Sequence, residues 1–171
     1  MQTGLAPFES GHVACPSARM GFTLIEILVV VALLTIVSGL GLIVGMDSYR
    51  GYLFRTDRDT LVSLLERARG QAVNNMCIGA SCTNGRPHGV FIDMAGSRYL
   101  LFQGATYATR DSAADEVIVA SSAIYRSGLS EVVFEQLSGN ANPQGDIVLS
   151  GVVGAVSTTS INAAGRISWT Q

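Results

Sequence analysis

An uncharged apolar run near the N-terminus constrains this chain more than any other feature. Residues 27–46, ILVVVALLTIVSGLGLIVGM, contain no charged side chain. As an α-helix with a rise of about 1.5 Å per residue, a run of this length spans roughly the 30 Å hydrocarbon core of a bilayer. A secretory signal peptide is the competing interpretation, but its apolar part is typically about 7–15 residues long and ends at an A-x-A-like site, which this run lacks. The run therefore predicts one membrane anchor.

A single carboxylate, Glu26, stands immediately before this run. A charged side chain costs on the order of 2.5–3.5 kcal/mol at the centre of a spanning helix, and less near its end, so such a residue is usually kept for a functional partner. We hypothesise that the partner is an amine, created by cutting the chain between Gly21 and Phe22, because residues four apart share a helix face. The alternative is a glutamate that only extends towards the membrane surface.

The segment Gly21-Phe22-Thr23-Leu24-Ile25-Glu26, followed by the apolar run, resembles the class III signal of type IV prepilins and type II secretion pseudopilins. The resemblance implies cleavage after Gly21 by a prepilin peptidase on the cytoplasmic side, and N-methylation of Phe22. It also implies that Glu26 pairs with the N-terminal amine of a neighbouring subunit during assembly. The same resemblance orients the chain in the membrane, which the basic residues on both sides of the run do not.

The leader implied by this signal, Met1–Gly21, differs from a typical short, basic leader because Arg19 is its only Lys or Arg. We expect either a longer leader variant or a true start further along the chain. Neither case changes the mature chain that begins at Phe22.

Removal of the leader also removes Cys15 and leaves Cys77 and Cys82 on the oxidising side of the membrane. Their close spacing favours a local disulfide over two free thiols, and it does not match a pair of zinc ligands.

Helical periodicity continues from residue 47 to about residue 75. One face carries apolar side chains, namely Leu61, Leu64, Leu65, Ala68 and Ala72. We therefore expect one long helix from Phe22 to about Asn75. Gly41 and Gly45 within it have the small-residue spacing of close helix contacts in membranes. We expect the charged triplet Asp57-Arg58-Asp59 to form a solvated face.

Short apolar runs bounded by Gly, Asn, Asp and Pro follow residue 75 and predict β-strands. A long helix followed by such strands predicts an α+β domain, in which an antiparallel sheet or pair of sheets buries the Leu61–Ala72 stripe. The predicted strands are His88–Asp93, Arg98–Gln103, Glu116–Ala120, Glu131–Gln136, Asp146–Leu149, Ser157–Asn162 and Arg166–Trp169.

Strings within Leu61–Trp169, such as ERARGQAV, PHGVFID and INAAGRISW, are similar to the GspH/FimT branch of minor pilins and pseudopilin H proteins. This resemblance implies the pilin fold, in which a long N-terminal helix, half of it transmembrane, packs on a C-terminal antiparallel sheet.

The residues do not indicate an enzyme. His88 is the one histidine left after processing, and no Ser–His–acid set accompanies it. A lone histidine beside a glycine at a strand start is more often structural than catalytic. We assign no catalytic residue, no cofactor and no metal.

DNA binding is the rival function, because the resemblance includes minor pilins of DNA uptake that carry a Gly-Arg-x-Arg motif. This chain has Gly165-Arg166-Ile167-Ser168, without the second arginine. After residue 75, five arginines face seven acidic residues, a balance of −2 that argues against nucleic acid as a partner. Arg166 is the residue that we single out for a DNA contact.

We therefore expect a leader at 1–21, a transmembrane half-helix at 22–46, an amphipathic half-helix at 47–75 and a β-rich pilin domain at 76–171. The expected function is that of a minor pilin or pseudopilin, a non-enzymatic subunit of a type IV pilus or a type II secretion pseudopilus. Its expected partners are other pilin or pseudopilin subunits, the prepilin peptidase that also methylates it, and the inner membrane, with the β-rich domain outside the cytoplasm. The alternative is a DNA-binding minor pilin of a competence system.

Overall fold

The computed structural model describes residues 21–79, 82–152 and 154–170, with the side chains of residues 40–44 outside that description. The α+β prediction is confirmed, since one long helix is followed by antiparallel strands. The helix α1 covers Leu24–Val73, and a short 3-10 helix covers Ser112–Ala114. The strands are β1 (His88–Asp93), β2 (Arg98–Gln103), β3 (Glu116–Val119), β4 (Tyr125–Gly128), β5 (Glu131–Phe134), β6 (Ala141–Asn142), β7 (Gly145–Ser150), β8 (Val156–Ile161) and β9 (Ile167–Thr170).

The strands form two antiparallel sheets within the described residues. The five-stranded sheet has the order β3-β2-β1-β5-β6, and the four-stranded sheet has the order β4-β7-β8-β9. In the β1–β2 hairpin, His88 pairs with Gln103 and Val90 with Leu101. Seven strands coincide, within one or two residues at each end, with the apolar runs of the sequence. The sequence did not predict β4 and β6, because Tyr-Arg-Ser-Gly lacks apolar alternation and β6 has only two residues.

The chain divides into two compact units, and the boundary in the sequence falls between Leu42 and Ile43. Unit 1 contains the first part of α1, and unit 2 contains the rest of α1 and both sheets. In unit 2 the predicted helical stripe is buried, and it forms one core with side chains of both sheets. The largest fully buried members of that core are Leu61, Leu65, Ile92, Tyr99, Phe134, Ile147 and Leu149.

The residues that follow α1 end it in a defined way. Asn75 has a left-handed backbone, with a φ of 53°. Its N–H donates to the Ala72 carbonyl at 3.1 Å, and the Met76 N–H donates to the Gln71 carbonyl at 2.9 Å. This pair of bonds is the Schellman motif, which satisfies carbonyls at a helix C-terminus and often uses Gly or Asn.

Candidate functional site

Thr23 caps the N-terminus of α1 in unit 1. Its carbonyl accepts hydrogen bonds from the N–H groups of Glu26 and Ile27, at 3.1 and 3.2 Å, and its Oγ1 lies 3.3 Å from the same Glu26 nitrogen. Thr followed three residues later by Glu is the capping-box sequence, in which the hydroxyl satisfies an otherwise free N–H of the first turn. The sequence interpretation did not identify this cap, although the Thr-x-x-Glu spacing indicates it.

Glu26 lies in the first turn of α1, where the helix dipole favours a negative charge. Its side chain is exposed, and its carboxylate makes no hydrogen bond or ion pair with the described part of the chain. The neighbouring Phe22, Leu24 and Ile25 side chains are exposed as well. A carboxylate surrounded by exposed apolar surface therefore remains available to a group outside this chain.

The other N-terminal residues singled out from the sequence are in open positions or outside the description. Gly21 and Phe22 precede α1 and are exposed, and Gly45 has open space where a Cβ would stand. The surroundings of Gly41 and the residues of the leader before Gly21, Cys15 among them, lie outside the described part.

Residues 24–46 of the predicted membrane anchor belong to α1. Among the described residues, no helix combines the length and the apolar character needed to cross a membrane. The anchor at 22–46 stays a prediction.

A buried ion pair joins α1 to both sheets in unit 2. Arg126 Nη2 lies 2.8 and 2.7 Å from the two carboxylate oxygens of Asp57, and these side chains are 1% and 3% exposed. The Tyr99 hydroxyl accepts from Arg126 Nε at 2.8 Å and donates to Asp57 Oδ2 at 2.9 Å. Because Asp57 is on α1, Tyr99 on β2 and Arg126 on β4, one set of polar atoms fixes the three elements together.

The surrounding backbone completes the hydrogen bonding of this pair. The Ser121 N–H donates to Asp57 Oδ1 at 3.2 Å, and Arg126 Nη1 donates to the Ile124 carbonyl at 2.9 Å. Burial raises the pKa of the Tyr99 phenol, and the adjacent Asp57 carboxylate raises it further. Tyr99 therefore stays protonated at neutral pH, and the cluster is a structural connection without a free base.

The expectation of a solvated Asp57-Arg58-Asp59 face is wrong for its first two residues. Asp57 and Arg58 are buried, whereas Asp59 is exposed. Arg58 Nε and Nη2 both donate to Asp59 Oδ1, at 2.9 and 2.8 Å, and the guanidinium lies 4.0 Å from the ring centroid of Trp169 on β9. A cation over an aromatic face is stabilised by the ring quadrupole, so Arg58 connects α1 to β9.

Cys77 and Cys82 are joined by a disulfide, with their Cα atoms 5.6 Å apart. That separation lies within the usual range for disulfides. Gln103, which is buried at the end of β2, holds the loop closed by this bond. Its Oε1 accepts from the Ile78 N–H at 2.7 Å, and its Nε2 donates to the Ile78 carbonyl at 3.3 Å. The side-chain amide thus makes the two hydrogen bonds to the Ile78 backbone that a neighbouring strand would otherwise make.

His88 is a buried residue at the start of β1. Neither ring nitrogen has a hydrogen-bond partner within the described part of the chain. Burial lowers the pKa of the imidazole, and a weak contact with the Arg86 backbone offsets only part of that shift. Across the described ranges, no three His, Cys, Asp or Glu side chains come together in a way that could hold a metal ion.

Arg166 lines a cleft of about 360 Å³ together with Arg69 and Glu66 from α1. The preceding Gly165 has a φ of 69°, and its backbone packs so closely on the Gly139 carbonyl that a Cβ would not fit. Packing of the turn before β9 therefore explains the glycine of the Gly165-Arg166 pair. The cleft brings together two guanidinium groups and one carboxylate.

Residues 19–42 match the family model described as the prokaryotic N-terminal methylation motif. The matched residues include Gly21, Phe22, Thr23 and Glu26. This match supports a type IV pilin-like protein. No curated protein and no solved structure matches the chain.

Proposed function

We propose that this chain is a minor pilin or pseudopilin, a non-enzymatic subunit of a type IV pilus or a type II secretion pseudopilus. The methylation motif at residues 19–42 carries this proposal. The capped start of α1, with an exposed Glu26 among exposed apolar side chains, supports it, because such a segment requires a partner outside the chain.

In this proposal, a prepilin peptidase cuts the chain after Gly21, and the new N-terminal amine of Phe22 is methylated. Residues 22–46 hold the subunit in the inner membrane, with the β-rich domain outside the cytoplasm. During assembly the apolar helices pack together, with Gly41 and Gly45 allowing close approach. Glu26 then compensates the N-terminal charge of a neighbouring subunit, because an unpaired charge in apolar surroundings is costly. The Cys77–Cys82 disulfide is consistent with an oxidising compartment.

The intact mass of the natural product tests the processing steps. We expect a chain that begins at Phe22 and is one methyl group heavier than its sequence. A product that still begins upstream of Phe22 would contradict the proposal.

Glu26→Gln tests the assembly step. We expect the variant to be processed but to enter filaments about tenfold less efficiently or worse, because the neighbouring ammonium loses its counter-charge. Glu66→Gln is the control, since it removes an exposed carboxylate from the same helix outside the motif. Filaments that incorporate the Glu26→Gln variant normally would overturn the proposed role of Glu26.

The finer assignment to the GspH/FimT branch is also a proposal, supported by the scattered similarities between Leu61 and Trp169. A DNA-binding minor pilin is the second candidate, and one observation favours it. Arg69 lies beside Arg166 in the same cleft, so a second arginine is present there although the sequence motif lacks one.

A further inference from the structure

Exposed apolar and aromatic side chains gather at one end of unit 2. Met46, Tyr49 and Tyr52 are 57%, 62% and 65% exposed, and they follow one another at three-residue intervals along α1. Residues at such intervals lie on one side of a helix. Val152, 68% exposed, belongs to the connection between β7 and β8. We call these four residues the apolar patch.

The structure fixes Val152 next to this part of α1. A cavity of about 360 Å³ is lined by Asp47, Arg50 and Phe54 from the helix and by Gly151, Val152, Gly154 and Ala155 from the β7–β8 connection. The Gly151 N–H donates to the Ala155 carbonyl at 2.7 Å and so closes that connection. A Cβ on Gly151 would lie 3.0 Å from the Phe54 ring, so the backbone packs directly on the helix. The connection is thus held beside the first turns of α1 in unit 2, on a different face of the helix from Tyr49 and Tyr52. The apolar patch therefore surrounds α1 at one level and is not one continuous surface.

We propose that the apolar patch lies in the headgroup layer of the membrane, and this inference rests on the proposed function, in which residues 22–46 cross the bilayer. The proposed anchor ends at Met46, so Tyr49 follows after about 4.5 Å of helix and Tyr52 after about 9 Å. The polar layer adds roughly 5–8 Å to each side of the hydrocarbon core. Because the helical segment between the proposed anchor and the patch is this short, the patch stays at the depth of the headgroups.

The composition of the patch fits this environment. Tyrosine is enriched where membrane meets water, because its ring is apolar and its hydroxyl reaches polar groups. The adjacent Asp47 and Arg50 have opposite charges and stand 3.9 Å apart. Their charges offset each other, so the partner is the zwitterionic interface itself and not an anionic lipid in particular.

Spin labels on the full chain in phosphatidylcholine nanodiscs test the depth of the patch. The labels are attached through Val152→Cys, Leu137→Cys and Leu34→Cys, each combined with Cys15→Ser and with the native disulfide kept oxidised. Leu137 is a matched control, because it is 65% exposed, and its N–H donates to the Ala72 carbonyl near the other end of α1 in unit 2. Leu34, 59% exposed, reports on the anchor. Circular dichroism checks that each labelled chain is folded.

We expect a water-soluble nickel chelate to collide with the label at position 152 at least about threefold less often than with the label at position 137. Replacing part of the phosphatidylcholine by an anionic lipid leaves this ratio unchanged. If positions 152 and 137 are equally accessible while position 34 is protected, the patch proposal is overturned and the anchor stands. If position 34 is as accessible as position 137, the anchor itself fails, and the patch proposal fails with it. Protection of position 152 that appears only with several chains per disc assigns the patch to a subunit contact and also overturns the proposal.

Discussion

Asp57 and Arg126 lie 69 residues apart in the chain. Both side chains lose their hydration on burial and instead form hydrogen bonds to each other, to Tyr99 and to backbone groups. Removing one member of such a pair leaves an uncompensated buried charge, which typically costs about 3–5 kcal/mol. We therefore expect Asp57→Asn to lower the free energy of unfolding of unit 2 by about 3 kcal/mol, because the amide keeps the shape but not the charge. Urea unfolding of the full chain in detergent, followed by circular dichroism, measures this loss.

Glu116→Gln is the matched control for that measurement. Glu116 on β3 pairs with Arg67 on α1 at 2.7 Å, so this pair also joins the helix to a sheet, but the two side chains are 45% and 51% exposed. An exposed pair of this kind contributes at most about 1 kcal/mol. Equal losses for the two variants would show that Asp57 is no more important than a surface carboxylate.

His88 makes the stability of unit 2 depend on pH in mildly acidic solution. Burial lowers the pKa of the folded imidazole below its ordinary value of 6.5, so the unfolded chain binds the proton first. The stability gained from a neutral His88 is complete above that ordinary value and is lost as the pH falls towards the folded pKa. The loss is at most about 1.4 kcal/mol per pH unit. We expect His88→Phe to remove this slope between about pH 7 and pH 5.5, where unperturbed carboxylates titrate little. Parallel stability curves for parent and variant would rule out His88 as the source.

At the scale of elements, the turn between β8 and β9 depends on a glycine for two separate reasons. Gly165 has a φ of 69°, and a Cβ there would collide with the Gly139 carbonyl. Gly154, in the β7–β8 connection, has a similar φ of 75° but no atom within 4 Å of a Cβ. Alanine at either position incurs the left-handed penalty of roughly 1–2 kcal/mol, but only Gly165→Ala must also displace the backbone. We expect Gly165→Ala to destabilise unit 2 by about 2 kcal/mol more than Gly154→Ala in the same urea assay. A difference near zero would mean that the turn moves away from Gly139 freely.

The elements that the sequence predicts well are those with a clear apolar period. Leu61, Leu65, Ala68 and Ala72 recur at helical spacing and are all buried, and β1 and β2 end at the predicted residues. The apolar period does not show that a charged residue lies on the buried face of the helix when its ion-pair partner is far along the chain. Asp57 lies one turn before Leu61 on the same stripe, and this position was the available signal that it is buried. Its partner Arg126 is in a strand without apolar alternation, so the sequence indicated neither that strand nor the pair.

The N-terminal site illustrates the opposite case, in which the sequence is more informative than the geometry. The order of Gly21, Phe22 and Glu26 before an apolar run lies within the matched methylation motif, and in the proposed function it is the signal for processing. The structure adds the Thr23 cap and the open position of Glu26.

At the scale of the whole molecule, the two units differ in how far their apolar side chains are buried. Unit 2 buries its own core between α1 and two sheets. Unit 1 exposes Leu24, Ile25, Leu28 and other large apolar side chains, which a chain surrounded by water would bury. The proposed lipid and subunit contacts of residues 22–46 would cover this exposed surface.

The charge distribution favours the proposed assembly role over the proposed DNA binding. Of the five arginines after residue 75, Arg98 pairs with a carboxylate at the surface, Arg110 pairs with a half-buried carboxylate, and Arg126 pairs in the interior. The cleft adds Arg69 to Arg166, but Glu66 lies in the same cleft. Two or three phosphate contacts give a shallow salt dependence and weak affinity, because affinity for duplex DNA scales with the number of neutralised phosphates.

We therefore expect the full chain in detergent to give no gel shift of duplex DNA at about 150 mM salt, and at most a weak shift at about 20 mM. Arg166→Ala and Arg69→Ala separate the two guanidinium groups of the cleft. A shift at the higher salt concentration that either variant abolishes would establish a built phosphate site and would favour the DNA-uptake alternative. A weak low-salt shift that both variants retain would be non-specific attraction, as expected for a domain with more acidic than basic residues.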